Sequence, residues 1–134
     1  MYFIINKNEK KIGKFKAKTK INYKDLLKSC DIGLSTVMVK KSLLRKNLFC
    51  KLRTKEDFYL WLQLIKSEKK IFSINKYLVS WRYLESSLSS SVSQRLLDAF
   101  RLYNTYEKYN FLTSVYYVIR LSYYAFIKKL KIYK

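Results

Sequence analysis

The chain has 134 residues, with 29 Lys and Arg against 9 Asp and Glu, for a formal net charge of +20 at pH 7. Its 49% apolar and 17% aromatic content can bury a core, and its length suits one domain or one piece of one. It contains no His, 2 Cys, 2 Gly and no Pro. That excludes an imidazole base, a His-ligated or four-cysteine metal site, a disulfide-stapled secreted scaffold and a glycine-rich phosphate loop.

So basic a chain is drawn to anionic surfaces, either nucleic acid or acidic lipid. Abundant Lys, Asn, Ile and Tyr with scarce Pro, Gly, His and Ala are also what AT-rich coding produces, so the charge alone names no partner. The lysines gather at the ends: Lys7, Lys10, Lys11, Lys14, Lys16, Lys18, Lys20, Lys24 and Lys28 face only Glu9 and Asp25, and Lys128, Lys129, Lys131 and Lys134 face no acid. Residues 1–5 are too short an apolar run for a signal peptide. They read as a strand entered with no structure before it, as if partway through a domain.

Residues 2–5 predict a buried strand, 7–11 a polar turn and 12–15 a hairpin partner around Gly13. Asn22 with Asp25 three residues on predicts an N-cap and a short helix over 23–30, followed by a loop at Gly33. Residues 36–39, largely β-branched, predict a strand. The clearest helix is 54–67, with Thr54 as its cap, Asp57 at the third helical position, and an apolar face of Phe58, Trp61, Leu62 and Ile65. Residues 71–74 and 77–83 predict strands joined by a turn at Asn75 and Lys76, and 86–91 a serine-rich loop. Ser91 and Gln94 open another capped helix, carrying Leu96, Phe100, Tyr103 and Glu107.

After Asn110, the apolar run 111–127 is short for a membrane span, where about 20 residues are usual, and Arg120 interrupts it. It predicts either an interfacial helix or a last helix capping the core.

Only one pair of acids is adjacent, Glu56 and Asp57. Acids in the first turn of a helix complement its dipole, which is a structural role. An Asp at a helix start, beside a loop and backed by the apolar Trp61 face, is equally placed to serve as a general base. Backbone N–H bonds there favour the ionised form, so such a base would work by position more than by basicity.

Three stretches in order, YKDLLKSCDIGLSTVMVKKSLL (23–44), KEDFYLWLQLIKS (55–67) and YLVSWRYLESSLSSS (77–91), resemble the C-terminal half of the catalytic domain of bacterial family 2 glycosyltransferases. The likeness covers roughly residues 12–91; the E-D-F-x-L-W-L piece is its most specific part. The helical tail resembles a membrane-hugging extension of that family. The resemblance implies an α/β fold, part of a GT-A, Rossmann-like mixed sheet with packed helices and a C-terminal helical extension. Residues 1–91 would be the acceptor-side half and 92–134 the tail.

By the same resemblance, Asp57 matches the base that deprotonates an acceptor hydroxyl for inverting attack on the anomeric carbon, and Glu56 a positioning residue beside it. Ser35 and Thr36 match a strand lining the donor and acceptor region, Trp61 an aromatic behind the base or in the core, and Arg82 a basic residue near the diphosphate or acceptor. No Q-x-x-R-W signature is present, which fits transfer of single sugars rather than polymerisation.

The family's first half supplies the nucleotide-binding strands and an Asp-x-Asp motif for a divalent ion, magnesium or manganese. The four Asp here, 25, 31, 57 and 98, form no such motif. The chain therefore reads as a fragment, inactive alone and binding no metal by itself. Its partners in a complete enzyme would be a nucleotide-sugar donor and a saccharide or lipid-linked acceptor, at the cytoplasmic face of the cell membrane, with an anionic membrane surface a further partner. No specific nucleic acid is expected, although a small basic nucleic-acid- or membrane-surface-binding protein is the alternative.

Overall fold

In a computed structural model, residues 1–44, 49–67, 70–84 and 91–132 are described. The fold is α/β. Strand β1 (Tyr2–Ile5) pairs antiparallel with β2 (Lys11–Phe15) across a turn at Asn6–Lys10, where the Asn6 carboxamide accepts from the N–H groups of Asn8 and Lys10, both at 3.0 Å. The short strand β3 (Lys20–Ile21) leads into α1 (Tyr23–Lys28). Helix α2 (Glu56–Lys66) is followed by β4 (Ile71–Phe72) and β5 (Val79–Arg82). Helix α3 (Val92–Arg101) runs into a π-helical turn (Leu102–Tyr106), and α4 (Phe111–Ile132) is the last element described.

Among the described residues two small sheets result. One is mixed, in the order β2-β1-β5, with β1 and β5 parallel; the other is the antiparallel pair β3-β4. The two strands predicted around Asn75 and Lys76 are both present, though shorter than expected, and they serve different sheets instead of pairing with each other. A parallel β1-β5 pair needs a long crossover, and everything between residues 5 and 79 supplies it.

The helix ends follow their chemistry. Asn22 caps α1 in a reciprocal box: its side chain accepts from the Asp25 N–H at 2.9 Å, and Asp25 accepts from the Asn22 N–H at 3.3 Å. Ser91 caps α3 by accepting from the Gln94 N–H. The Asn110 side chain accepts from the Thr113 N–H at 2.8 Å, so the residue that breaks the apolar pattern starts α4. The predicted loop 86–91 lies outside the described residues except for Ser91.

The core is built on α2, whose Phe58, Leu60, Trp61, Leu62 and Leu64 are all buried against Leu26 and Leu27 of α1 and Leu102 and Tyr103. Truncating one such residue to Ala costs about 2–5 kcal/mol. The π-helical turn brings Glu107 inside, where its side chain is 0% exposed. Tyr23 donates to it at 2.8 Å, Gln63 at 3.1 Å, and Lys66 pairs with it. One carboxylate thereby ties α1, α2 and the end of α3 together. Glutamate so deep in a core needs such partners.

Helix α4 packs one face through Ser114 and Leu121, while Tyr116, Ile119, Tyr123, Phe126 and Leu130 stay exposed at steps of three and four residues. It caps the core on one side and presents an apolar stripe on the other. Among the described residues, no helix is long and apolar enough to cross a membrane.

One predicted strand is corrected. Residues 36–39 form no ladder: Leu34–Thr36 is a turn of 3-10 helix, and the chain then runs extended to a second such turn, Lys41–Leu43. The β-branched sequence has the right backbone but meets no partner strand among the described residues.

Candidate functional site

The loop before α2 is clamped to α3 by a buried carboxylate. Asp98 is 1% exposed. Its Oδ2 accepts from the Thr54 N–H at 3.0 Å and the Thr54 hydroxyl at 2.9 Å, and its Oδ1 accepts from Gln94 Nε2 at 3.0 Å. Burial pushes its pKa up, but the bonds from Gln94 and Thr54 outweigh burial and hold Asp98 below the usual carboxylate value. Thr54 is therefore not the cap of α2. Its hydroxyl goes to an ionised acceptor, a stronger bond than a neutral cap contact, and Lys55 takes the N-cap position without a side-chain cap.

The two acids that follow occupy the first and second helical positions, so they diverge around the helix. Asp57 is half-buried and its Oδ1 accepts from the Phe58 N–H at 2.7 Å. Burial raises its pKa, the Phe58 N–H and the Lys55 ammonium lower it, and burial wins. The helix start thus leaves Asp57 more basic than an ordinary aspartate, against the expectation from its backbone contacts alone. Lys55 is itself pushed down by burial, with Cys30 and Asp57 opposing the shift. Glu56 differs: its Oε2 is buried with no hydrogen-bond partner among the described residues. Its field bears on Cys50, whereas that of Asp57 bears on Cys30.

Around Cys30 the chain closes on itself over long sequence distances. Lys128 of α4 donates to the Cys30 carbonyl at 2.9 Å and to Asp31 Oδ1 at 3.0 Å, and Ser29 donates to the same Asp31 oxygen at 2.6 Å. Lys128 also lies 5.2 Å from the centre of the Phe15 ring. The Cys30 thiol is pushed up to about 11, first by burial and then by Asp57. Tyr2 is pushed up to about 12 by burial, with Asp31 and Cys30 adding to it.

Asp31 reaches a cavity of about 610 Å³, which is large enough for a small ligand. Ser35, Thr36 and Trp61 line it together. Ser35 is exposed, Thr36 donates to the Gly33 carbonyl at 2.8 Å, and Trp61 is only 2% exposed, a core residue with one edge at the cavity wall. Most of the lining is apolar, with Val37, Val39, Leu43, Ile71 and Leu78 prominent. Asp57 is not among the lining residues; its charge acts on Cys30, the residue before the lining Asp31. Arg82 is not among them either. Its guanidinium donates to Glu9 Oε1 at 2.9 Å, beside the β1-β2 turn, where it steadies that end of the mixed sheet.

The sequence pointed to Asp57, Glu56 and the Ser35–Thr36 pair, but not to Lys55, Asp31, Asp98 or Lys128. Lys128 stood in a basic tail with nothing local to separate it from its neighbours, and its partners lie 97 and 98 residues away. Asp98 gave no local signal, since its partner Thr54 lies 44 residues away.

Comparison with known proteins finds two informative relatives. The chain is 37% identical over 120 residues to the UDP-Glc:alpha-D-GlcNAc-diphosphoundecaprenol beta-1,3-glucosyltransferase WfgD of Escherichia coli, covering 88% of this chain and 46% of that protein. It is 26% identical over 110 residues to the glycosyltransferase TuaG of Bacillus subtilis, assigned to teichuronic acid biosynthesis, covering 82% of this chain and 44% of that protein. No family model matches, and no solved structure matches. The chain spans less than half the length of the curated relatives it matches, and its likeness to them supports a glycosyltransferase family.

Proposed function

We propose that this chain is the acceptor-side portion of a family 2, GT-A glycosyltransferase that moves a sugar from a nucleotide-sugar donor to a saccharide or lipid-linked acceptor with inversion. The observation that carries the proposal is Asp57: a half-buried carboxylate at the start of α2, raised in pKa by burial, within a segment similar to two glycosyltransferases. A base with raised pKa and a fixed position suits removal of a hydroxyl proton near neutral pH.

Asp57 takes the proton of the acceptor hydroxyl. The freed oxygen forms a bond to the anomeric carbon from the face opposite the nucleotide, and the bond to the diphosphate oxygen breaks, carrying its electron pair with the leaving group. Lys55, beside the carboxylate, favours its ionised form before transfer. Ser35 and Thr36 orient the acceptor at the rim of the cavity, with Trp61 behind them, while Glu56, which diverges from Asp57 around α2 and is not among the lining residues, positions the helix start that carries the base. Arg82 contributes at the outer edge, exchanging Glu9 for an anionic group of the substrate.

The resemblance also implies a divalent ion on the diphosphate. Among the described residues no three of Cys, Asp and Glu gather so as to hold one. The residues present do not fit that ion, and no step above runs through it. By itself the chain is proposed to be inactive.

The exposed stripe of α4, with Lys129 beside it, supports a second element of the proposal: the protein sits peripherally on the cytoplasmic face of the membrane. Tyr and Phe at the lipid headgroup level with Lys alongside is the pattern of an interfacial helix. Joining the chain to the part of WfgD that it does not match tests the whole reading. The joined enzyme should transfer a sugar with inverted anomeric configuration, read by proton NMR of the product, while the chain alone gives none. Retained configuration, or equal turnover by the chain alone, contradicts it.

A further inference from the structure

Two basic residues beside the start of α2 are half-buried and lack an anion. Lys55 occupies the N-cap position of the helix. The place of Arg95 follows from the clamp on Thr54. Gln94 and Asp98 bond each other on the face of α3 that holds Thr54, and Arg95, three residues before Asp98, shares that face. It is thereby set beside the residue that follows Thr54, which is Lys55. The Arg95 Nε is buried, with no hydrogen-bond partner among the described residues.

The neighbouring carboxylates are engaged elsewhere. Asp98 accepts from Thr54 and Gln94, Asp31 from Lys128 and Ser29, and Asp57 turns its Oδ1 to the Phe58 N–H. Among the described residues, neither Lys55 nor Arg95 forms an ion pair with any acid, Glu56 included. Arg95 and Lys128 both oppose the charge on Lys55, in the same direction as burial, and Asp57 and Cys30 offset them only in part. Half-buried cations set together without an anion cost stability until an anion completes them.

The helix start adds to their field. The N–H groups of Glu56 and Asp57 find no backbone acceptor among the described residues, and the positive end of the α2 dipole lies there. Burial also separates this pair from the lysines of the two basic ends, because charges withdrawn from bulk water are screened less by salt.

We propose that Lys55 and Arg95, with the first N–H groups of α2, bind the diphosphate of a sugar diphosphate. Arg95 offers a planar fork that takes two phosphate oxygens, and Lys55 a single ammonium. Two sources carry that chemistry, the nucleotide-sugar donor and a lipid-linked acceptor. Asp57 follows Lys55 on the same helix start, so a diphosphate held there keeps its sugar close to the carboxylate. The identity of the ligand rests on the functional reading above; the anion site rests on the geometry.

Titrating the full chain with inorganic pyrophosphate at about 150 mM salt, followed by amide shifts and thermal melting, tests the site without any assay of transfer. The expected result is saturable one-to-one binding that moves the Glu56 and Asp57 amides and raises Tm. Lys55→Gln and Arg95→Gln should each weaken binding by about tenfold or more. Without pyrophosphate, each should melt no lower than the parent, because a repelled cation has gone. Lys55→Arg, which keeps the charge, should restore binding to within about threefold of the parent. The double variant Lys14→Gln with Lys24→Gln removes two exposed charges and should change affinity by less than about twofold. Equal weakening by that double variant, binding that does not saturate, or parent-like affinity in both Lys55→Gln and Arg95→Gln overturns the proposal.

The chain joined to the unmatched portion of WfgD separates the two sources. There Lys55→Gln should raise KM about tenfold or more for one substrate: the lipid-linked acceptor if its diphosphate occupies the site, the nucleotide-sugar if the donor's does. Unchanged KM for both overturns the assignment to a substrate diphosphate. A joined enzyme that transfers no sugar, while the chain still binds pyrophosphate through Lys55 and Arg95, counts against the functional reading only.

Discussion

Replacing Asp98 by Ala should destabilise the protein by about 3 kcal/mol, although the residue touches no substrate. Three donors converge on this carboxylate: the Thr54 N–H at 3.0 Å, the Thr54 hydroxyl at 2.9 Å and Gln94 Nε2 at 3.0 Å. A hydrogen bond to an ionised acceptor contributes about 1.5–3 kcal/mol net. Thr54 and Gln94 are half-buried, so water reaches part of each donor once the carboxylate is gone. The lower figure therefore applies, reduced further by that recovery, which leaves about 3 kcal/mol for three bonds. For a domain of this size that is about 10 °C in Tm. Asp98→Asn keeps one acceptor oxygen and should cost about half as much; Thr54→Val keeps the backbone bond and should cost about 1 kcal/mol.

Urea unfolding followed by circular dichroism measures all three, and a double-mutant cycle isolates the Thr54–Asp98 coupling. The pH dependence has a definite sign. Asp98 is held below its unfolded value, so its contribution is present above about pH 4 and fades as the pH falls through the folded pKa. The gap between wild type and Asp98→Ala should therefore narrow in acid. An Asp98→Ala variant within about 0.5 kcal/mol of wild type at pH 7 would refute the reasoning that buried charge-assisted bonds fix the loop before α2.

Three further outcomes follow from the same geometry. Asp57 is raised by burial, so the folded state loses stability as the pH rises from the unfolded carboxylate pKa through the folded one. Asp57→Asn should melt higher than wild type at pH 7 and no differently below about pH 4, whereas no gain at pH 7 would show that burial costs the carboxylate nothing. With its thiol near 11, Cys30 is about one part in a thousand thiolate at pH 8 and should react with iodoacetamide more than about 100-fold slower than a free cysteine; a rate within tenfold of the free amino acid contradicts its placement. Lys128→Met removes the bonds to Cys30 and Asp31 and should cost about 1 kcal/mol while speeding amide exchange in the last turns of α4; unchanged exchange there would mean the contact does not hold the helix.

Local chemistry was legible from the sequence, and long-range chemistry was not. The Asn22–Asp25 box, the Ser91 cap and the Asn110 start of α4 were all readable, because each is a bond within four residues. The α2 face was equally plain, since four apolar residues at helical spacing have few other fates. Thr54 was misread for the opposite reason: a cap three residues away and a buried carboxylate 44 residues away compete for one hydroxyl, and only the fold shows which wins. The strand at 36–39 failed because a strand needs a partner as well as a propensity. At the site, Asp57 was found as a helix-start acid, but the sign of its pKa shift was not, because burial is a tertiary property. Lys128 and Asp31 meet only after the whole chain has folded back.

The account rests on Asp57 as the base. The most direct test is turnover of the joined enzyme carrying Asp57→Asn, measured beside its affinity for the nucleotide-sugar. Loss of a proton acceptor at the reacting hydroxyl should lower kcat by about 10²–10⁴-fold and leave donor binding within about twofold of the parent. Near-parent turnover in that variant would contradict the assignment.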